Sequence, residues 1–123
     1  MSKAMVVDDS RAIRLILANT LAELGYEVCH AANGKEAVAA LAKESGVSLI
    51  LVDWNMPEMN SLDFVKHVRS NPQFSSIPLM MVTTETEMHQ MVKALEAGAN
   101  EYVMKPFTKE IIADKLRLMG VIQ

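Results

Sequence analysis

Five short runs of apolar residues recur along the 123-residue chain, at positions 4–7, 26–31, 48–52, 78–82 and 101–104. Each run has the length of a β-strand. Several carry valine, isoleucine or leucine on both alternating faces, which is typical of parallel strands that are covered on both sides. We therefore predict five buried strands.

The segments between these runs have apolar residues at helical spacing. In the first, Ile13, Leu17, Leu21 and Leu24 form one stripe, and Gly25 stands where a C-terminal cap is expected. The spacing predicts helices over residues 11–24, 35–42, 62–69, 87–97 and 109–118. Strand and helix then alternate five times, which predicts an α/β fold with a doubly wound parallel sheet in the order 2-1-3-4-5, in one domain over residues 1–123.

Composition excludes several classes of partner. The net charge is −3, so no basic patch favours nucleic acid. No apolar run approaches the roughly 18 residues of a membrane span, and acidic residues interrupt the N-terminal apolar stretch too early for a signal peptide. With Cys29 as the single cysteine, a reduced thiol in a cytoplasmic protein is expected.

Polar residues collect where the predicted strands end. Strand 1 ends in Asp8-Asp9, strand 3 in Asp53, strand 4 in Thr83-Thr84 and strand 5 in Lys105-Pro106. In the predicted order strands 1 and 3 are neighbours, and ligands bind beyond the carboxyl ends of such strands. Three carboxylates are thus expected at one edge of the sheet.

Three close carboxylates require a counter-charge. Two like charges about 4 Å apart repel by roughly 4 kcal/mol at an effective dielectric of about 20. Lys105 supplies one positive charge, and a carboxylate site without histidine or cysteine favours Mg²⁺. Each residue also has a structural alternative, since Asp8, Asp9 or Ser10 could cap helix 1. Likewise Asp53 could form a turn, Thr83 could cap helix 4 and Lys105 could be solvated.

The combination of groups suits phosphoryl chemistry. A carboxylate can accept a phosphoryl group, and the transfer depends mainly on neutralising the phosphoryl oxygens. No P-loop of the form G-x-x-x-x-G-K is present, so a bound nucleotide is not the expected donor.

Four motifs resemble one family. They are V-V-D-D-S-R at 6–11, L-V-D-W-N-M-P-E-M at 51–59, M-V-T-T-E at 81–85 and Y-V-M-K-P-F at 102–107. Their order and spacing resemble the receiver domain of two-component response regulators, most closely the stand-alone chemotaxis (CheY-like) type. The resemblance implies the flavodoxin-like (βα)5 version of the predicted fold.

The resemblance also implies a metal site. Asp9 would be a direct Mg²⁺ ligand, Asp8 would act mainly through a bound water, and Asp53 and the backbone carbonyl of Asn55 would complete the protein ligands. Mn²⁺ is the implied substitute.

Further roles follow from the same resemblance. Asp53 would accept the phosphoryl group, and Thr83 and Lys105 would hold its oxygens. Tyr102 matches the switch aromatic that turns inward as Thr83 moves toward the phosphoryl group. The bond between Lys105 and Pro106 is cis in most members of this family.

Neighbouring residues are expected to modulate the pocket. The family often has glycine at the position of Ser61, which we expect to cap a helix beginning at Leu62, and alanine at that of Thr84. The bulk of Thr84 affects donor access and phosphoryl lifetime. Asn55 and Glu85 match positions that tune self-dephosphorylation, and Trp54 is expected to lie over the pocket as an optical reporter.

The implied function is a phosphorylation-activated signalling module. A histidine kinase or a histidine phosphotransfer protein would phosphorylate Asp53, and a downstream protein would bind the surface of helix 4, strand 5 and helix 5. The chain would not be an enzyme, although it would catalyse its own phosphorylation and dephosphorylation. We expect no output domain, since residues 120–123 do not resemble a linker.

Alternative interpretations remain. The chain could be a phosphorelay intermediate or the receiver part of a longer regulator. An aspartyl-phosphate hydrolase of the haloacid dehalogenase type normally has a second acid two residues after its nucleophile, where this chain has Asn55, and a cap domain. In a flavodoxin-like flavin carrier the first loop must bind phosphate, which Asp8 and Asp9 would repel.

Overall fold

The structure is a computed structural model that describes residues 2–54 and 60–122, and the side chains of these except at 85–87. Its strands are β1 (Lys3–Val7), β2 (Glu27–Ala31), β3 (Val47–Asp53), β4 (Leu79–Thr83) and β5 (Glu101–Met104). Its α-helices are α1 (Arg11–Glu23), α2 (Gly34–Lys43), α3 (Ser61–Ser70), α4 (Met91–Ala97) and α5 (Lys109–Leu118). A 3₁₀ helix, Glu85–Gln90, precedes α4.

The five strands form one parallel sheet in the order β2-β1-β3-β4-β5, which confirms the predicted topology. Val7 at the end of β1 lies opposite Ala31 of β2 and Val52 of β3. Since all strands run the same way, the residues after β1 and β3 emerge next to each other.

Two apolar layers cover the sheet because alternate side chains of each strand point to opposite faces. On one face Val6 and Leu51 pack with helices α1 and α5. On the other, Val7 and Val52 pack with helices α2, α3 and α4. Burial on both faces explains why the strands read as continuous apolar runs. Within the described part of the chain, no helix is long and apolar enough to cross a membrane.

The predicted fourth helix was wrong at its start. The chain forms a 3₁₀ helix over Glu85–Gln90, and the α-helix begins only at Met91. Gln90, which precedes α4, makes no side-chain capping hydrogen bond. Apolar spacing does not distinguish 3₁₀ from α-helical bonding in the first turn, so the sequence pattern merged the two.

The predicted cap of α3 was also wrong. Asn60 caps the helix, its Oδ1 accepting the Asp63 N–H at 2.9 Å, and the helix begins at Ser61. Asparagine and serine cap helices about equally well, so their adjacency left the choice to tertiary contacts. The Ser61 hydroxyl is thereby free for another partner.

Arg69 connects three segments at the amino edge of the sheet, away from the carboxylates. Its Nε donates to the Gly98 carbonyl at 2.8 Å, and its Nη1 donates to the carbonyls of Ile77 at 2.8 Å and Ser75 at 3.2 Å. Its Nη2 donates to Asn100 Oδ1 at 2.9 Å. The last turn of α3 is thus attached to the start of β4 and to the connection between α4 and β5.

Candidate functional site

The three predicted carboxylates meet at the carboxyl edge of the sheet. One oxygen from each of Asp8, Asp9 and Asp53 lies within 4.8 Å of the others. Asp8 and Asp53 are buried, whereas Asp9 is exposed. The topology therefore brings these acids together as the strand order predicts.

The backbone around Asp8 shows why this acid does not cap α1. The Ser10 hydroxyl caps the helix by accepting the Ile13 N–H at 3.3 Å. Asp8 Oδ1 accepts the Ser10 N–H at 2.8 Å, and Arg14 Nη1 donates to the Asp8 carbonyl at 2.6 Å. These contacts fix Asp8 and leave its second carboxylate oxygen, Oδ2, next to Lys105 Nζ.

Lys105 supplies the positive charge from the end of β5. Its Nζ lies 3.0 Å from Asp53 Oδ1 and 3.6 Å from Asp8 Oδ2. The Lys105 N–H donates to the Thr83 carbonyl at 2.7 Å, which holds the segment after β5 against the end of β4. The bond between Lys105 and Pro106 is cis, as the resemblance implies.

Burial and like charge destabilise the ionised form of the acids. Burial, followed by the Asp8 charge, raises the pKa of Asp53 to about 6, although the Lys105 hydrogen bond opposes this. Burial likewise raises the pKa of Asp8. For Lys105, burial lowers the pKa, but the hydrogen bond and charge of Asp53 outweigh it and the net pKa is raised. One ammonium thus does not neutralise the cluster.

One carboxylate oxygen shows that the site suits a cation. Asp8 Oδ2 is buried and has no hydrogen-bond partner among the described residues. Its 3.6 Å distance from Lys105 Nζ is short enough for an ion pair but too long for a hydrogen bond. A buried anionic oxygen is costly without a partner, and oxygen-only ligands suit a hard divalent cation. The residues present therefore fit a magnesium site.

Trp54 is held at three points. Its N–H donates to the Val82 carbonyl at 2.9 Å, and its carbonyl accepts from the Ser61 hydroxyl at 2.7 Å. Its indole Nε1–H donates to Gln90 Oε1 at 3.2 Å. The ring is half-buried against the α2–α4 side of the core. The indole thus reaches from the end of β3 to Gln90, the residue before α4.

Ser61 is the residue that sequence reasoning misplaced. Its hydroxyl donates to the carbonyls of Asp53 and Trp54, so it binds the backbone at the end of β3. The sequence signal was a hydroxyl residue where the resembling family often has glycine.

Of the other predicted residues, those that the structure describes lie on β4 and β5 or next to these strands. Thr83 is fully buried at the end of β4, and its Oγ1 donates to the carbonyl of Thr84, which is half-buried, at 3.3 Å. Tyr102 is half-buried on the α2–α4 side of the sheet, with Lys115 Nζ 5.0 Å from its ring centroid. Asn55 and the Glu85 side chain lie outside the described residues.

Comparison with known proteins agrees with this arrangement. Residues 4–117 match the family model of the response regulator receiver domain. The chain is 47% identical over 118 residues to the chemotaxis protein CheY1 of Helicobacter pylori, and the match covers 95% of each chain. It is 45% identical over 115 residues to the chemotaxis protein CheY homolog of Campylobacter jejuni, and that match covers 93% of this chain and 88% of the relative. The solved structure of the Vibrio cholerae chemotaxis response regulator CheY4 superposes with a TM-score of 0.86, with 38% identity over 99% of both chains. The chain belongs to the response regulator receiver domain family.

Proposed function

We propose that this protein is a phosphorylation-activated signalling module in which Asp53 accepts a phosphoryl group. One observation carries the proposal: Asp53 lies at the carboxyl end of β3 with Lys105 Nζ at 3.0 Å, beside Asp8 Oδ2, which is buried and has no hydrogen-bond partner among the described residues. A nucleophile, a fixed cation and oxygen ligands for a second cation are what phosphoryl transfer to a carboxylate requires.

The donor is a phosphohistidine on a histidine kinase or histidine phosphotransfer protein. A carboxylate oxygen of Asp53 attacks phosphorus and the P–N bond breaks with its electron pair remaining on nitrogen. The ring, protonated at its other nitrogen, leaves as neutral imidazole. Lys105 and Thr83 hold the phosphoryl oxygens. Asp9, Asp53, the Asn55 carbonyl and, through a bound water, Asp8 would hold Mg²⁺, or Mn²⁺ in its place, and the ion would supply positive charge for those oxygens.

A surface groove supports a protein donor. Ile13 and Ile16 of α1 face Pro106 and Phe107 across a groove of about 310 Å³ that Lys105 also lines. Ile16 is half exposed. A donor helix with apolar side chains fits this groove while presenting its phosphohistidine to the carboxylates, whereas a small phosphate ester leaves it empty.

Phosphorylation is proposed to shift an equilibrium between two arrangements of residues 83–87, α4 and Tyr102. The partner surface is the face of α4, β5 and α5. Its exposed apolar side chains support this, since Val92 is 61% exposed, Leu95 40% and Met104 42%. Exposed apolar groups on neighbouring elements are typical of protein contacts.

The relatives favour a chemotaxis role. Several are named chemotaxis proteins, and they match this chain over nearly their whole length. We propose that the chain acts in the same kind of pathway, as a cytoplasmic module that catalyses its own phosphorylation and dephosphorylation but has no other substrate.

The contact between Trp54 and Gln90 is proposed to carry part of the signal to α4. Gln90→Leu removes the acceptor of the indole N–H. We expect the Gln90→Leu variant to be phosphorylated to the same extent as wild type. Its phosphorylation-dependent change in amide hydrogen exchange across residues 91–97 should be smaller. Glu96→Gln, an exposed change on the same helix, is the matched control and is expected to behave as wild type. An unchanged exchange response in Gln90→Leu would rule out the link.

The proposed function is tested with acetyl phosphate, with and without Mg²⁺. We expect the intact mass to rise by one phosphoryl group only when Mg²⁺ is present, and Trp54 fluorescence to change on adding the ion. Uptake independent of metal contradicts the proposed site. Turnover of a generic phosphate ester at ordinary enzymatic rates would instead favour a hydrolase.

A further inference from the structure

The hydroxyl of Ser61 has an unusual role for a serine at the start of a helix. Serine at the start of a helix ordinarily acts as the N-cap and accepts a hydrogen bond from a backbone N–H, as Ser10 does before α1. The Ser61 hydroxyl instead donates to two carbonyls of the preceding strand. The side chain is 1% exposed, so water does not replace these bonds. Because Asn60 already caps α3, the hydroxyl is not needed to begin the helix.

The two acceptors belong to the phosphoacceptor and its neighbour. A hydroxyl has one proton, so Ser61 shares it between the Asp53 carbonyl and the Trp54 carbonyl. The Trp54 N–H is bonded to the Val82 carbonyl of β4 at 2.9 Å. The peptide unit that joins Asp53 to Trp54 is therefore held from the sheet side through its N–H and from the α3 side through its carbonyl.

Fixing this peptide unit fixes the direction of the Asp53 side chain. The carbonyl orientation sets the ψ angle of Asp53. The φ and ψ angles set the direction of Cβ relative to the neighbouring peptide units, and χ1 then places the carboxylate. A small rotation there moves the carboxylate relative to Lys105 Nζ, at 3.0 Å, and relative to the other two acids. Metal binding and phosphoryl transfer both need these atoms within a few tenths of an ångström.

We propose that Ser61 is a positioning residue for the Asp53 carboxylate, acting through the backbone rather than by touching metal or phosphoryl oxygens. The inference deepens the proposed function and rests on it. Ser61 thereby preorganises the carboxylates of Asp8, Asp9 and Asp53 for binding of the cation. Glycine at this position supplies no such bond, so the arrangement belongs to this chain's own sequence.

The test compares Ser61→Ala and Ser61→Gly with wild type. We expect both variants to bind Mg²⁺ at least about threefold more weakly by calorimetric titration of the unphosphorylated protein, as is typical when the residues behind a ligand are changed. The initial rate of phosphorylation by acetyl phosphate at low Mg²⁺ should fall by a similar factor and recover at saturating Mg²⁺. Urea unfolding confirms that each variant is folded at the titration temperature.

Ser48→Ala is the matched control. The Ser48 hydroxyl also donates to a backbone carbonyl, that of Lys3 at 3.2 Å, but at the far edge of the sheet. We expect its Mg²⁺ affinity to equal that of wild type. Wild-type affinity in Ser61→Ala and Ser61→Gly overturns the inference even if both unfold more easily, because lost stability alone indicates a structural role. Failure of the wild-type protein to bind Mg²⁺ overturns the proposed function as well.

Discussion

Asp53→Asn is expected to take up no phosphoryl group from acetyl phosphate and yet to unfold at a higher urea concentration than the wild-type protein. The amide lacks the anionic oxygen that attacks phosphorus, so intact mass should stay unchanged where wild type gains one phosphoryl group. Its Oδ1 can still accept from Lys105 Nζ. The same substitution removes one of three clustered negative charges.

The gain in stability follows from the pKa of Asp53. Folding raises this pKa from 3.8 to about 6. The folded state therefore binds the proton more tightly, and the metal-free wild type loses stability as the pH rises from about 4 to about 6. Above that range the full cost is present, and Asp53→Asn should be more stable by about 3 kcal/mol at pH 7 without metal.

The profile against pH and the response to Mg²⁺ provide the checks. Asp53→Asn should lose much less stability between pH 4 and 6, and Mg²⁺ should stabilise it less than wild type, since binding to the folded state is what stabilises. Asp63→Asn, at an exposed acid in the first turn of α3, is the control. It should lower stability slightly and retain phosphorylation. An Asp53→Asn protein less stable than wild type at pH 7 would contradict the assigned electrostatics.

Arg69→Ala is expected to lower the free energy of unfolding by about 3 kcal/mol, because the guanidinium donates four hydrogen bonds to two other segments of the chain. Truncation leaves the carbonyls of Gly98 and Ile77 without this donor. Arg69→Lys should recover less than half of the loss, since an ammonium cannot reproduce the planar fork. Lys66→Ala, an exposed change on the same helix, should have little effect in urea unfolding. Equal stability of Arg69→Ala and Lys66→Ala would contradict the assignment.

A substitution at Gly98 also tests the contact between Arg69 and Gly98. Its φ is +125°, and an added Cβ would lie 2.5 Å from Arg69 Cγ. The backbone strain and the clash are separable, because only the clash depends on the arginine. Gly98→Ala should therefore lower the free energy of unfolding, measured with urea, by less in an Arg69→Ala background than in the wild-type protein.

The fold was readable from the sequence because the buried strands leave continuous apolar runs. Strand-length runs alternating with helical stripes predicted the sheet and its order, and the strand order predicted that Asp8 and Asp53 would meet. The sequence-based predictions were wrong where two local backbone arrangements have similar free energies. The choice between Asn60 and Ser61 as a cap, and between 3₁₀ and α-helical bonding at residues 85–90, depends on tertiary contacts.

Side-chain direction was the part of the site that spacing did not predict. The sequence placed Trp54 beside Asp53 but did not indicate that its indole reaches Gln90. It placed Ser61 near the start of α3 but assigned its hydroxyl as a helix cap. Both contacts depend on how the end of β3 approaches α3 and the 3₁₀ helix.

The central position of β1 and β3 also bears on how the chain folds. These strands are distant in sequence, yet they pair in the middle of the sheet, with Val7 opposite Val52 and an aspartate following each. Their pairing is a slow, non-local step, and it is the step that brings like charges together. Protons at mildly acidic pH, or a divalent cation, would weaken that repulsion, so we expect either of them to speed refolding as well as to stabilise the finished site.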